Sequence, residues 1–299
     1  MDERLIAVPG GQLAVQTYGG TGRAVLFLHT VGMCGPQWRL VARMLSDRCR
    51  PVSFDLPGHA HSTVPMGDPD DQWRHLPAVV AELGLERPLL VGHDSGAWAA
   101  LVAGLRHPEL FAGLVLVGGS MRRLAMASDM VDDEGFQAML GERFRLGHEG
   151  RGEEARRAAM EEIVAGARAD SLTAGLGTGL YDELEHSVID LPDGGWMNSP
   201  TVATVAAGMH YGPQVRERPS PTLYERATLP TWVVSLSHGF DANLEGEDVE
   251  VPAGANVHRR QLLSGQWPMY SDPAGVVAVV TEALGALSGG DAPGAGGAR

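Results

Sequence analysis

Lysine is absent from this chain of 299 residues, and all 23 basic residues are arginines. Without a lysine amine the chain cannot form a Schiff base, which excludes pyridoxal-type chemistry and a lysine general base. Acidic residues number 37, which gives a formal net charge of −14 at pH 7, and the arginines form no basic stripe. We therefore expect neither nucleic acid nor an anionic membrane surface as a partner.

Cysteine is scarce as well, since the sequence contains only Cys34 and Cys49. Two cysteines without a ligand-type spacing predict neither a disulfide framework nor a metal site. The sequence begins MDERLIAVPGG, which has no apolar signal segment, and no apolar run reaches membrane-spanning length. These absences predict a cytoplasmic protein with passive thiols.

Short apolar segments alternate with amphipathic helical patterns over about the first 120 residues. This alternation predicts an α/β fold with a mostly parallel, doubly wound sheet. From about residue 121 the patterns become helical, and no convincing strand returns until LPTWVVSLS at 229–237. We predict a core made of residues 1–120 and 226–287, with a helical cap inserted at 121–225 after the sixth strand. The Gly/Ala/Pro-rich residues 288–299 are predicted to be a disordered tail.

One turn in the predicted core carries the chemistry, in the segment PLLVGHDSGAWAALVAGL at 88–105. An apolar strand leads through GHDSG into a helix of small residues, a pattern typical of a nucleophile elbow. The turn has no room for side chains two residues before and two after the nucleophile, and Gly92 and Gly96 flank Asp94 at these two positions. We predict that Asp94 is the nucleophile position. Ser95 then follows it, and its backbone N–H is predicted to donate to an oxyanion.

Together with this turn, three further segments make residues 4 to 287 resemble the α/β-hydrolase superfamily. RAVLFLHTVG resembles the strand that ends in His-Gly-x-Pro, and FDLPGHAHS at 54–62 resembles the Asp-x-Pro-Gly-x-Gly-x-Ser loop. LLSGQWPMYSDPAGV at 262–276 resembles the segment that carries the catalytic histidine. The resemblance implies that His29 is structural and that Thr30 replaces a glycine. It also implies that the N–H of Val31 is the second oxyanion donor.

An aspartate elbow resembles the epoxide hydrolase and haloalkane dehalogenase branch, in which the carboxylate attacks an sp3 carbon and forms an alkyl ester. A histidine oriented by a second acid then activates the water that cleaves the ester. The resemblance places the second acid at Asp241. At the histidine position the chain has Gln266, and an amide takes up no proton near neutral pH. Trp267, the next residue, is expected to bind substrate. We expect an ester on Asp94 to form and to hydrolyse very slowly.

Three hypotheses remain open. The first is an epoxide-hydrolase-like enzyme in which another histidine, best His238, replaces the missing base, and in which a cap tyrosine (Tyr181, Tyr211 or Tyr224) protonates the epoxide oxygen. In the second, Asp94 has a raised pKa under an apolar cap and acts as a general acid or base in a non-hydrolytic cyclisation, elimination or isomerisation. In the third, the pocket only binds a ligand.

The hypotheses share one prediction about partners. The chain is expected to take a small, largely apolar organic molecule, with Tyr211 among the substrate-binding residues, and to need no cofactor and no metal. Dehalogenation is the less favoured reaction, because that branch has a tryptophan where this chain has Ser95. Whether the chain forms a homodimer is left open.

Overall fold

The computed structural model describes residues 1–169, 179–239, 251 and 256–290. Its strands are β1 (Asp2–Val8), β2 (Gly11–Thr17), β3 (Ala24–Leu28), β4 (Arg50–Phe54), β5 (Leu89–His93), β6 (Gly113–Val117), β7 (Glu149–Arg151), β8 (Val188–Asp190), β9 (Gly195–Asn198), β10 (Thr231–His238) and β11 (Val257–Gly265). Its helices are α1 (Arg39–Leu45), α2 (Asp71–Arg74), α3 (Leu76–Glu82), α4 (Ser95–Arg106), α5 (Met121–Met130), α6 (Glu134–Phe144), α7 (Glu153–Ala169), α8 (Gly179–Ser187), α9 (Val202–Met209), α10 (Thr222–Glu225), α11 (Pro268–Ser271) and α12 (Pro273–Gly290).

Eight of the strands form one sheet in the order β1-β2-β4-β3-β5-β6-β10-β11. The pairings of β1 with β2 and of β2 with β4 are antiparallel, and the remaining five pairings are parallel. Strands β3, β5 and β6 are buried along their whole length, as expected for parallel strands covered on both faces. The predicted mostly parallel, doubly wound sheet is confirmed.

Helices cover both faces of this sheet. Along β3, Leu26 and Leu28 belong to one apolar cluster, which also contains side chains of α3 and α4. Val25 and Phe27 belong to a second cluster, which also contains side chains of α1 and α12. Because successive strand residues point to opposite faces, the two clusters are the two sides of a sandwiched sheet.

The insertion between β6 and β10 is not purely helical, which corrects the prediction. Strands β7, β9 and β8 form a separate antiparallel sheet inside it. Each of these strands has only three or four residues, too few to show the alternation by which a strand is recognised.

The end of the chain differs from its prediction as well. Helix α12 continues to Gly290, so the first three residues of the predicted disordered tail are helical, and residues 291–299 lie outside the described part. No helix of the described residues has the length and apolar character needed to cross a membrane.

Candidate active site

The turn between β5 and α4 is so closely packed that it requires its two glycines. Asp94 lies at its centre with φ 54° and ψ −116°, in the left-handed region that non-glycine residues rarely adopt. A Cβ atom added to Gly92 would lie 2.1 Å from the carbonyl oxygen of Gly96, and one added to Gly96 would lie 2.6 Å from the carbonyl oxygen of His29. Both glycines are therefore needed for close backbone approach, and they hold a strained aspartate between them.

The Asp94 carboxylate accepts hydrogen bonds from two side chains. Thr30 Oγ1 donates to Asp94 Oδ2 over 2.8 Å, and Arg123 Nη2 donates to Asp94 Oδ1 in an ion pair. Burial acts to raise the pKa of the carboxyl, but the charge of Arg123, followed by smaller contributions from His93 and Thr30, outweighs burial and holds the pKa below its ordinary value. The expectation of a raised Asp94 pKa is therefore wrong, because it did not include the arginine.

Arg123 was missed by sequence reasoning although a signal for it exists. It lies in the first turn of α5, just after β6, and β6 pairs in parallel with β5. Since the carboxyl ends of neighbouring parallel strands share one edge of a sheet, residues just after β6 are expected close to the elbow. Ser120 caps α5 by accepting from the Arg123 N–H over 3.2 Å, which fixes the start of the helix.

The residues predicted to supply the two oxyanion donors, Val31 and Ser95, are hydrogen-bonded to each other. The N–H of Val31 donates to Ser95 Oγ over 2.9 Å, and Thr30 Oγ1 lies 3.3 Å from the same oxygen. The Val31 N–H is thus occupied by the side chain of Ser95, a residue that was predicted to contribute only its backbone N–H. An oxyanion at this place would have to take the Val31 N–H from the Ser95 hydroxyl.

His29 lies behind this loop and is fully buried. Its Nδ1 donates to the Thr30 carbonyl over 2.8 Å, and its Nε2 accepts from the Leu56 N–H over 2.8 Å. A carbonyl only accepts and an amide N–H only donates, so these partners fix the neutral tautomer. Burial lowers the pKa of His29 well below its ordinary value. Its contacts hold the loop in place.

His93, directly before Asp94, is also buried and has both ring nitrogens engaged. Its Nε2 donates to the Gln266 carbonyl over 2.8 Å, and its Nδ1 accepts from Gln37 Nε2 over 2.8 Å. Gln37 Oε1 accepts in turn from the Thr30 N–H over 3.2 Å, which joins the elbow to the loop. Because burial lowers the pKa of His93 to about 4 and both nitrogens are used, it is not available as a base for water. Sequence reasoning missed both His93 and Gln37.

The residues near the end of the chain that were predicted to belong to the site lie in different surroundings. Gln266 is 2% exposed, and its backbone carbonyl contacts His93 at the elbow. Trp267 is buried in the apolar cluster on the face of the sheet that α1 and α12 cover. His238 is exposed at the end of β10, where its Nδ1 lies 2.7 Å from Ser237 Oγ. Asp241 lies outside the described residues.

No histidine hydrogen-bonds the Asp94 carboxylate within the described ranges of the chain. Its partners there are Thr30 and Arg123. The structure thus does not bring His238 into hydrogen-bond contact with Asp94, and the replacement of the missing base by His238 gains no support.

The three cap tyrosines differ in their surroundings. Tyr224 Oη donates to the Gly119 carbonyl over 3.2 Å, and Tyr181 packs against the apolar cluster that also holds Trp267. Tyr211 is 1% exposed, and its ring packs edge-on against Trp98 with the ring centroids 4.7 Å apart.

The pKa of Tyr211 lies above its ordinary value. Burial is the largest cause and the negative charge of Asp94 the second, whereas a contact with the Gln72 side chain acts in the opposite direction. Helix α9, which precedes Tyr211, lies against the loop that carries Thr30 and Val31. A Cβ added to Gly208 of this helix would be 3.1 Å from the Val31 side chain. Tyr211 is therefore a buried, neutral phenol whose ring packs on Trp98, one turn after Asp94 in α4.

Comparison with known proteins agrees with this architecture. Residues 23–154 match the family model described as alpha/beta hydrolase fold. A fluoroacetate dehalogenase of Burkholderia sp is 33% identical over 106 residues, 33% of this chain and 35% of that protein. Epoxide hydrolase 2 of Siraitia grosvenorii is 32% identical over 130 residues, 42% of this chain and 40% of that protein. The chain thus spans well under two thirds of the length of these curated relatives.

Similarity of structure extends over almost the whole chain. The crystal structure of E-2-(acetamidomethylene)succinate hydrolase has a TM-score of 0.72 at 16% sequence identity, covering 95% of this chain and 99% of that one. At such identity the likeness concerns the fold alone. The chain has the α/β-hydrolase fold, and its relatives are hydrolases that include a dehalogenase and an epoxide hydrolase.

Proposed function

We propose that this chain is a cofactor-independent, epoxide-hydrolase-like enzyme whose Asp94 carboxylate attacks an sp3 carbon of a small, largely apolar molecule. The observation that carries the proposal is an ionised carboxylate on a strained turn at the start of α4, with the buried phenol of Tyr211 packed on Trp98 one turn further along that helix. A nucleophile has to be ionised and a general acid has to be protonated. Near neutral pH both groups are in the state that this chemistry needs.

The proposed step opens an epoxide. Asp94 Oδ forms a bond to one epoxide carbon while the bond from that carbon to the epoxide oxygen breaks. Tyr211 gives its proton to the leaving oxygen, and the product is a β-hydroxyalkyl ester on Asp94. Tyr211 is left as a phenolate that regains its proton from solvent. Arg123 keeps the attacking carboxylate ionised and orients it.

An apolar substrate is supported by the residues that meet above the elbow. Val31 faces Gly208 of α9, and the side chain of Met66 also approaches Gly208. Trp98 and Tyr211 add two buried aromatic rings that pack edge-on against each other. The names of the two curated relatives, an epoxide hydrolase and a fluoroacetate dehalogenase, both support chemistry at an sp3 carbon.

The ester is expected to persist. Within the described residues no histidine hydrogen-bonds the Asp94 carboxylate, and Gln266 stands where the resemblance places the base. Without a base to activate water, hydrolysis of the ester loses a contribution of roughly 10²- to 10⁴-fold. We therefore propose that the covalent intermediate accumulates.

Intact-protein mass spectrometry after incubation with a panel of terminal and internal epoxides tests the proposal. The expected result is a mass gain equal to one epoxide in the wild type and none in Asp94→Asn. Asp47→Asn, which changes an exposed aspartate, serves as the matched control and should form the adduct like the wild type. Absence of both adduct and turnover across the panel contradicts the proposal.

A non-hydrolytic enzyme is the second candidate. It is favoured because, in the part of the chain that the structure describes, Asp94 is hydrogen-bonded by Thr30 and Arg123 and by no histidine. Here Tyr211 protonates the leaving oxygen, a hydroxyl within the substrate attacks the carbon, and Asp94 accepts the proton of that hydroxyl, which closes a ring. In ¹⁸O-labelled water this candidate predicts a product without ¹⁸O and no conversion by Asp94→Asn. Label in the product rules this candidate out.

A further inference from the structure

Four potential metal ligands from separate parts of the chain meet at the edge of the molecule. Glu3 belongs to the edge strand β1, Asp55 follows β4, His61 lies in the loop after it, and His186 belongs to α8 of the insertion. Each offers one ligand atom, and the four atoms all lie within 4.8 Å of one another. None of the four belongs to the site around Asp94.

The contacts inside this group, the Glu3/Asp55/His61/His186 cluster, are close. His186 Nε2 lies 2.8 Å from Asp55 Oδ2, and His61 Nδ1 lies 2.8 Å from Glu3 Oε1. His186 Nδ1 lies 3.5 Å from Glu3 Oε2, and the two imidazole rings have centroids 4.3 Å apart. Ligand atoms around a tetrahedral zinc ion are about 3.4 Å apart, given bonds of 2.0–2.2 Å. The separations in the cluster, from 2.8 Å up to 4.8 Å, lie on both sides of this value.

Neighbouring groups hold both carboxylates in place. The N–H of Gly35 donates to Asp55 Oδ1 over 2.8 Å, and Asp55 is fully buried. Gln16 Nε2 donates to Glu3 Oε2 over 2.9 Å, and Ser53 Oγ donates to Gln16 Oε1 over 3.0 Å. Hydrogen bonds that orient the ligands in this way are typical of metal sites in proteins.

Charge and ligand type indicate which ion fits. Two carboxylates carry two negative charges, and two neutral imidazoles add none, so a divalent cation balances the set. Nitrogen and oxygen ligands in a group of four suit Zn²⁺, which prefers tetrahedral coordination.

We propose that the Glu3/Asp55/His61/His186 cluster binds one Zn²⁺ ion. The ion joins the insertion, through His186, to the first strand and to the loop after β4. Because the site is separate from Asp94, its role is to fasten the insertion to the core, and ester formation at Asp94 does not depend on it.

Zinc binding is measured on untagged, full-length protein that has been treated with a chelator and exchanged into chelator-free buffer. Equilibrium dialysis against ZnCl₂ with elemental analysis should give one ion per chain, and thermal unfolding should shift to higher temperature with added Zn²⁺. Binding of Co²⁺ should give the intense visible absorption of a four-coordinate ion. His186→Gln and His61→Gln should each lose the bound ion and the thermal shift.

The matched control is His148→Gln, which changes an exposed histidine of the same insertion and should bind like the wild type. Two His variants are used because His186 is buried and His61 is partly exposed, so a folding defect in the first leaves the second to be measured. If the wild type binds no stoichiometric zinc, the four side chains form only a hydrogen-bond network and the proposal is overturned. Equal zinc binding by His61→Gln and the wild type overturns it as well.

Discussion

At the scale of single residues, the identity of the acid decides whether Asp94 can open an epoxide. Tyr211 is buried, and burial together with the negative charge of Asp94 raises its pKa, so it is a neutral phenol. The hydroxyl of Tyr224, in contrast, already donates to the Gly119 carbonyl. Replacing Tyr211 by Phe removes the proton donor and keeps the ring that packs on Trp98.

Tyr211→Phe should therefore slow ester formation with a reactive epoxide by roughly 10²- to 10⁴-fold, the usual contribution of a general acid. The rate is measured by intact-protein mass spectrometry over time. Tyr181→Phe is the matched control and should react like the wild type. A Tyr211→Phe rate equal to that of the wild type would exclude Tyr211 as the acid.

Arg123 controls the charge of Asp94, and its removal should be visible in a pH profile. In Arg123→Gln the opposing effect of burial is no longer outweighed, so the pKa of Asp94 should rise. The acidic limb of the ester-formation rate should then move to higher pH, because less carboxylate is ionised at a given acidic pH. Arg122→Gln, one position earlier and exposed, should keep the wild-type profile. Identical profiles for the wild type and Arg123→Gln would contradict this role.

At the scale of elements, the strand–turn–helix around Asp94 depends on close backbone contact. In Gly96→Ala the new Cβ would lie 2.6 Å from the His29 carbonyl oxygen and 2.8 Å from that of Leu28. Both atoms belong to backbone that cannot easily move, so the free energy of unfolding should fall by about 1–3 kcal/mol.

Gly166→Ala is the matched control within α7, where the added Cβ meets no atom within 4 Å. Because alanine favours helix over glycine, this variant should be more stable by about 0.5–1 kcal/mol. Urea denaturation followed by circular dichroism measures both changes. A Gly96→Ala protein as stable as the wild type would show that the elbow has more room than its geometry indicates.

These elements also show what the sequence could predict. Strands β3, β5 and β6 were predictable because each is a continuous apolar run that ends at a turn signal. The assignment of Asp94, rather than Ser95, to the centre of the elbow followed from the positions of Gly92 and Gly96 alone. Strands β7 to β9 were not predictable, since a strand of three or four residues shows no period.

The candidate site was predicted only where it is local in sequence, although the place of Arg123 just after β6 was a signal for it. Asp94 and Ser95 lie within one motif, and Thr30 and Val31 lie at the end of a predicted strand. Arg123 comes to Asp94 from the insertion, and its effect reversed the expected direction of the pKa shift. A side chain delivered by tertiary packing leaves no periodic pattern in the sequence.

At the scale of the whole molecule, the insertion meets the core at a buried carboxyl group. Glu183 of α8 accepts from the Cys34 N–H over 3.1 Å and from the Tyr270 hydroxyl. Burial raises the pKa of Glu183 to about 7, although these hydrogen bonds act to lower it. A carboxyl group whose pKa is raised on folding stabilises the fold below its unfolded pKa, and this contribution is lost as the pH rises through the folded pKa.

Glu183→Gln imitates the protonated acid at every pH. Relative to the wild type, its free energy of unfolding should therefore increase by on the order of 3 kcal/mol between about pH 4 and about pH 8. Glu185→Gln, an exposed change in the same helix, is the control and should show no such trend. Parallel pH curves for Glu183→Gln and the wild type would contradict the buried protonation.

The comparison has to be made as a difference between variants, because buried histidines act in the opposite direction. Burial lowers the pKa of His59 and of His93 to about 4. Their contribution is present above the unfolded pKa of about 6.5 and is lost as the pH falls toward 4. Both proteins contain these histidines, so their effect cancels in the difference.

In the proposed covalent step Asp94 is the nucleophile, and locating the adduct in the sequence shows which residue forms the bond. The protein is reacted with an epoxide, digested, and the modified peptide is sequenced by tandem mass spectrometry. We predict a β-hydroxyalkyl ester on Asp94 in the wild type and no modified peptide in Asp94→Asn. An ester on any other carboxyl group, or an adduct that Asp94→Asn forms as readily as the wild type, would contradict it.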